Sequence, residues 1–228
     1  MTQHGPLNIE TFVEPMFQEN GLLLWPQGQA DCWFVDPGFP PQPEALAAAV
    51  HQHGLKPQAI LLTHCHADHL AGVRLLQQKL PGTPLWAPRD EEHMLGDANA
   101  NLSAPFGFSV TAPPADRLLS PNEQLDLGGL SWTVLDVGGH SPGGLAYYCP
   151  AAGVVIVGDA LFAGSIGRHD FPGSSQRRLL RNIRENLLTL PPETVVYSGH
   201  GPTTTVAREK RYNPFVGLGA ADEVDDED

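Results

Sequence analysis

Short apolar stretches alternate with turn residues through the first forty positions. "TFVEPMF", "NGLLLWP" and "DCWFVDPG" read as antiparallel strands, with Asn20-Gly21 and Gln27-Gly28 as the turns between them. The period then lengthens. "PQPEALAAAVHQHG" predicts a helix, because Pro43 suits a first turn, the Ala/Leu run favours helix, and Gly54 can take the left-handed position past its end. "AILLT" follows as a continuous apolar run, the pattern of a strand covered on both faces. In "LAGVRLLQQKLPG", Leu70, Val73, Leu76 and Leu80 recur at helical spacing up to Pro81-Gly82. "PLWAP" is a brief strand and "RDEEHMLG" a short helix or turn. Residues 99–121, with little periodicity and several prolines, predict a long surface loop over or beside a site.

Strands return from residue 124 as "EQLDL", "LSWTVLDV", "GLAYYC" and "GVVIVGD". A helix over roughly 174–189, the strand "ETVVYSGH" and a short helix near 204–212 complete the chain. Two successive halves, each rich in strands and containing helices, predict an α/β fold of two sheets packed face to face with helices outside. No internal repeat is visible.

The polar residues that break this pattern sit at strand ends. "AILLTHCHADH" delivers His64, His66, Asp68 and His69; "TVLDVGGH" delivers His140; "VVIVGD" delivers Asp159; "TVVYSGH" delivers His200. Ligands gather beyond strand ends in sheet-based folds, so these distant positions can meet. Residues two apart on an extended segment point to one side, which lets His64 and His66 reach one metal ion while Asp68 and His69 face a second. Imidazole and carboxylate suit zinc, and also iron and manganese. Next to a buried strand, three histidines and an aspartate within six residues cost desolvation energy unless something compensates it. Cys65, between two histidines, should turn to the opposite face and act as a buried, inert residue. His4, His51, His53 and His93 read as ordinary surface or core histidines.

Charge and composition narrow the class. The chain of 228 residues carries 13 basic against 26 acidic residues, a net charge of −13, and six of those acids fall in the closing "DEVDDED". Residues 1–219 are expected to form one domain and 220–228 a disordered acidic tail. No basic stripe for nucleic acid is present, no apolar run reaches membrane-span length, and the N-terminus lacks a signal-peptide pattern. Three cysteines without a pairing motif point to a reducing compartment, with the cytoplasm expected.

"HCHADH" matches at every specified position the H-x-H-x-D-H motif of the metallo-β-lactamase superfamily, which the chain resembles. "GGHSPGG", "GDALFAGSIGRHDFPGS" and "SGHGPTTTVAREKRYNPF" are similar to its glyoxalase II (hydroxyacylglutathione hydrolase) branch in the small single-domain bacterial form, over about residues 8–216. That resemblance implies an αββα sandwich of two mixed sheets. It also implies a first metal site of His64, His66 and His140, a second of Asp68, His69 and His200, and Asp159 bridging. The activity implied is hydrolysis of a thioester such as S-D-lactoylglutathione by a hydroxide held between two divalent ions, zinc foremost, with Asp68 and Asp159 as catalytic carboxylates. The Asp68-His69 pair separates the chain from many lactamases proper, and only 28 residues follow His200, where full-length glyoxalase II enzymes carry a helical C-terminal domain. Asp36 in "FVDPG" is a candidate to orient an imidazole or to form the turn before Pro37-Gly38, and Arg168 and His169 are candidates for substrate contact, with an ion pair to Asp170 or another acid as the alternative for Arg168. The segment Gly167–Phe171 is also similar to the persulfide dioxygenases, in which reading His64, His140 and Asp159 would hold one iron. A lactonase or other small-ester hydrolase is the further enzymatic alternative, and a metal-binding or tail-dependent partner-binding protein the non-enzymatic one.

Overall fold

The computed structural model describes residues 1–220, so the expected acidic tail lies, apart from Ala220, outside the described residues. One mixed sheet runs in chain order through β1 (Thr2–His4), β2 (Leu7–Val13), β3 (Asn20–Pro26), β4 (Asp31–Val35), β5 (Lys56–Leu61), β6 (Leu85–Pro88) and β7 (Arg117–Leu119). It is antiparallel up to β4 and parallel from there. The second sheet is built from β8 (Gln124–Leu127), β9 (Leu130–Asp136), β10 (Leu145–Cys149) and β11 (Val154–Gly158). A small separate hairpin, β12 (Leu161–Phe162) and β13 (Ser165–Ile166), precedes its last members, β14 (Val195–Ser198) and β15 (Thr204–Thr205). Its order is β15-β14-β11-β10-β9-β8, with β11 and β14 parallel.

Alternation along the strands explains how the sheets stack. In β3, Leu22 and Leu24 join Trp33, Leu61, Trp132, Val134, Tyr147 and Ile156 in a core between the sheets, while Leu23 and Trp25 face the other way. That outer side is covered by α1 (Gln42–His53) and α3 (Val73–Lys79), through Leu46, Val50, Val73 and Leu76. The second sheet's outer face packs on α4 (Gln176–Asn182), its π-helical continuation to Leu187, and α5 (Val206–Tyr212), through Leu179, Ile183 and Val206. The result is the αββα sandwich. Coverage on both faces is why "NGLLLWP" is buried throughout. Among the described residues, no helix is long and apolar enough to cross a membrane.

Several local expectations are revised. Asn20-Gly21 is the start of β3 rather than a turn, because the reversal is made earlier, over residues 14–19, where the Glu14 carboxylate accepts from the N–H groups of Met16 and Phe17. The helix after the histidine cluster is divided into α2 (Ala67–Leu70) and α3 at Gly72. A side chain at Gly72 would strike Pro43 and the carbonyls of Pro37 and Gly38, so this glycine lets α3 pack against the loop before α1. The region 99–121 contains a 3-10 turn (Ala104–Phe106) and β7, and it is anchored by the buried Asn101, whose amide donates to the carbonyls of Met94 (3.1 Å) and Val110 (2.9 Å).

Candidate metal centre

Strand ends place the site. β5 leads into His64 and His66, whose loop runs directly into α2 with Asp68 and His69, and His140, Asp159 and His200 follow β9, β11 and β14. The buried donor atoms of His64, His66 and His140 lie within 4.8 Å of one another, as do those of Asp68, His69 and His200. Asp159 sits between the two groups: one carboxylate oxygen is 3.4 Å from His69 Nε2, and the other is 3.4 Å from His200 Nε2 and 3.7 Å from His140 Nε2. Asp36, His64 and His69 form a third cluster of donors. There Asp36 is already engaged, accepting from the Thr63 backbone N–H (2.7 Å), the Thr63 hydroxyl (2.6 Å) and His69 Nδ1 (3.0 Å).

Four of the five rings are aimed by a bond made at the opposite nitrogen. His69 Nδ1 donates to Asp36, His140 Nδ1 to the Arg168 carbonyl (2.8 Å), and His200 Nδ1 to the Phe17 carbonyl (3.1 Å). The Thr63 hydroxyl spends its proton on Asp36 and so accepts from His64 Nδ1 at 3.1 Å. Each bond leaves Nε2 as the inward-facing atom, the arrangement by which outer groups fix a metal-binding tautomer. His66 is the exception, with Nδ1 turned inward to 3.0 Å from His140 Nε2.

Three of the inward atoms, His64 Nε2, His69 Nε2 and Asp159 Oδ1, are buried without a hydrogen-bond partner. Such atoms are costly unless a ligand satisfies them, and imidazole nitrogens converging with carboxylate oxygens form a donor set that fits divalent metal ions. Burial pushes the His64 ring far below its ordinary value and His66 to about 3, with neighbouring imidazoles adding to the effect, so both rings are neutral. Burial also opposes charge on His69 and His200, but the carboxylates of Asp159 and Asp68 outweigh it, and His200 is raised to about 10. Asp159 and Asp68 are held below the usual carboxylate range: burial works against them, and the charge of His69 prevails.

Close packing at two glycines makes the convergence possible. A side chain at Gly199 would collide with Asp159 and His69, and one at Gly158, where φ is +52°, would collide with Thr63. The glycines of "SGH" and "VGD" are thus part of the site. Cys65 turns away from it into the core beneath α1 and α3. Among the described residues, His4, His51, His53 and His93 join none of the donor groups.

Arg168 stands at the rim of the adjoining cavity, paired through both guanidinium branches with Asp170 at 2.9 Å, while His169 is absent from the cavity lining. Two buried acids at the centre have no sequence motif. Glu19 lies 4.0 Å from His69 Nδ1 and accepts from Gln42 at 2.8 Å, with burial raising its carboxyl well above the ordinary range. Glu91 accepts from the backbone N–H groups of Cys65 (2.6 Å) and Gly143 (2.7 Å), joining the His64–His66 loop to the His140 loop. Neither stands out in the sequence, as Glu19 lies between Gln18 and Asn20 and Glu91 within the acidic run 90–92.

Comparison with known proteins agrees with this architecture. Residues 17–200 match the family model described as metallo-beta-lactamase superfamily. The chain is 42% identical over 200 residues to the probable metallo-hydrolase YqgX of Bacillus subtilis, covering 87% of this chain and 92% of that protein. It is 32% identical over 212 residues to the hydroxyacylglutathione hydrolase GloC of Haemophilus influenzae, covering 92% and 98%. The crystal structure of TTHA1623 in a di-iron-bound form superposes with a TM-score of 0.79 at 37% identity, over 90% of this chain and 99% of that one.

Proposed function

The chain belongs to the metallo-β-lactamase superfamily, and from that premise we propose that it is a metal-dependent hydrolase of thioesters, S-D-lactoylglutathione among them. The observation that carries this reading is the ring of inward-facing imidazoles around Asp159, four of the five aimed from behind, with His64 Nε2, His69 Nε2 and Asp159 Oδ1 otherwise unsatisfied. The similarity to GloC, a hydroxyacylglutathione hydrolase by name, supports the thioester.

In this reading His64, His66 and His140 hold one ion, Asp68, His69 and His200 hold the second, and Asp159 bridges them. Bound there, divalent ions supply Lewis-acid polarisation of a carbonyl and a water acidified to near neutrality, with zinc proposed and iron or manganese also suited to these donors. The chain's own groups do the rest. Asp36 and the carbonyls of Arg168 and Phe17 hold the rings in register, and Asp68 and Asp159, ionised and lining the cavity, are placed to orient water at the centre. Phenylalanines line that cavity, so a substrate seated there would displace water from beside the donors and strengthen the electrostatic contacts it makes. No serine or cysteine nucleophile is required.

The test is the initial rate of S-D-lactoylglutathione hydrolysis by metal-loaded protein, followed as loss of thioester absorbance. A kcat/KM of about 10⁴ M⁻¹s⁻¹ or more is expected. Turnover no faster than a metal-stripped control would overturn the reading.

A further inference from the structure

Six of the nine phenylalanines in the chain line one cavity of about 500 Å³ beside the metal centre: Phe17, Phe39, Phe106, Phe108, Phe162 and Phe171. They come from segments far apart in sequence, so no local strand or helix pattern accounts for their meeting. We propose that this cavity is an aryl-acyl subsite and that thioesters whose acyl group carries a phenyl ring are the chain's preferred substrates, an inference that rests on the thioesterase reading above.

The rings are arranged around the reacting end. Phe17 and Phe39 lie 5.4 Å apart, Phe39 and Phe108 5.4 Å, and Phe17 meets Phe106 and Phe108 at 6.3 Å each, making a continuous four-ring wall. Opposite it, Phe171 stands edge-on to His66 (5.6 Å) and His140 (5.9 Å), and Phe162 edge-on to His200 (6.2 Å). Phe171 and Phe162 therefore stand next to the donor rings, where a phenyl group close to a reacting carbonyl would meet aromatic faces and edges of the kind that aromatic pairs favour.

Charge selects against a different occupant. Among the described residues, the carboxylates and guanidinium lining the cavity are Asp68, Asp159 and Arg168, and the imidazoles are His66, His140 and His200 of the metal centre. The carboxylates belong to the metal centre, and Arg168 is committed to Asp170 and lies 4.2 Å over the Phe171 ring. Away from the metal centre, among the phenylalanines, a buried carboxylate would therefore lose its hydration without meeting a cation. In this proposal the polar thiol carrier lies toward the exposed rim at Arg168 and the short acyl half lies against the phenyl wall.

The wall is also held in place before any ligand arrives. Glu14 fixes the turn that presents Phe17, and Asn101 and Ser103, both buried, brace the loop carrying Phe106 and Phe108, with the Asn101 carbonyl accepting from the Ala67 N–H at the start of α2 (2.9 Å). Preorganised aromatic surface binds without a large ordering cost. Phe106 is nevertheless 56% exposed, more open to solvent than an aromatic ring with purely structural work to do.

The experiment compares metal-loaded full-length protein on the phenylacetyl and acetyl thioesters of N-acetylcysteamine, a neutral carrier, with S-D-lactoylglutathione alongside. The phenylacetyl ester is expected to exceed the acetyl ester in kcat/KM by about ten-fold or more. Phe106→Ala and Phe108→Ala should each cut that ratio by about three-fold or more, with thermal unfolding confirming that both variants fold. Equal rates on the two esters would overturn the subsite while leaving the hydrolase in place. Should no thioester turn over, the hydrolase reading falls, and the subsite is judged by saturation-transfer NMR with N-(2-acetamidoethyl)phenylacetamide. Binding that is lost in Phe108→Ala supports it, and the absence of binding overturns it.

Discussion

The Asp36 carboxylate accepts from Nδ1 of His69 at 3.0 Å, and the opposite nitrogen of that ring consequently faces Asp159 at 3.4 Å. Asp36 adopts a left-handed backbone conformation, φ +51°, which asparagine also tolerates. Asp36→Asn should therefore keep the backbone while exchanging a strong acceptor for a neutral amide. Metal affinity at the Asp68, His69 and His200 group is expected to weaken by about 10–100-fold, as measured by competition with a chromophoric chelator. Unchanged affinity would remove Asp36 from the account of how the ring is aimed.

Glu91 does for two loops what Asp36 does for one ring. Glutamine can accept on only one side, leaving the N–H of either Cys65 or Gly143 facing a second donor. Glu91→Gln should cost about 1.5–3 kcal/mol, the worth of one charge-assisted bond, and about 2–4 °C of thermal midpoint per kcal/mol. Calorimetry measures the loss. Metal analysis should show it concentrated at the His64, His66 and His140 group.

Protons and metal compete at one group and not at the other. His69 and His200 have folded-state values raised above the ordinary 6.5, His200 to about 10, so at pH 7 both carry protons that a metal ion must displace. His64 and His66 are shifted downward and are already neutral. Filling the second group should release protons and its affinity should rise as pH increases from 7 toward 10. Isothermal titration at pH 7 in two buffers of different ionisation enthalpy tests this: a heat independent of buffer would contradict it.

Cys32, Cys65 and Cys149 are all buried, and burial raises each thiol, Cys32 to about 12. Native protein should show no rapid reaction with Ellman's reagent, and all three should react after denaturation. A fast native thiol would place one of them nearer the surface than the fold does.

The candidate ligands were legible in sequence because they fall within a few residues of the ends of apolar strands, and a sandwich brings such strand ends to one edge. The strands were legible from apolar runs bounded by turn residues, α1 from its Ala/Leu run and end signals, and α3 from the helical spacing of Val73 and Leu76, because one face of each element must be buried. Asn20-Gly21 misled because a turn-forming dipeptide also serves as a strand start when Asn20 donates to the carbonyls of Ser198 and Gly201 across to the other sheet. Glu19, Glu91 and Gln42 act through contacts between residues far apart in sequence and leave no spacing to read. The phenylalanine cavity is likewise a product of topology, as its rings come one or two at a time from segments that each look like ordinary loop or strand.

Asp159 touches both donor groups, so Asp159→Ala should lower metal content and reduce thioester turnover by several orders of magnitude, measured by elemental analysis and initial rates on the same preparation. Full activity in that variant would rule out a shared bridge.

The central claim, that two ions joined by Asp159 drive hydrolysis, is tested most directly by adding metal stepwise to stripped protein and following S-D-lactoylglutathione hydrolysis. Activity that climbs to a plateau at two equivalents is the predicted result. A plateau at one equivalent, or no activity at any loading, would contradict it.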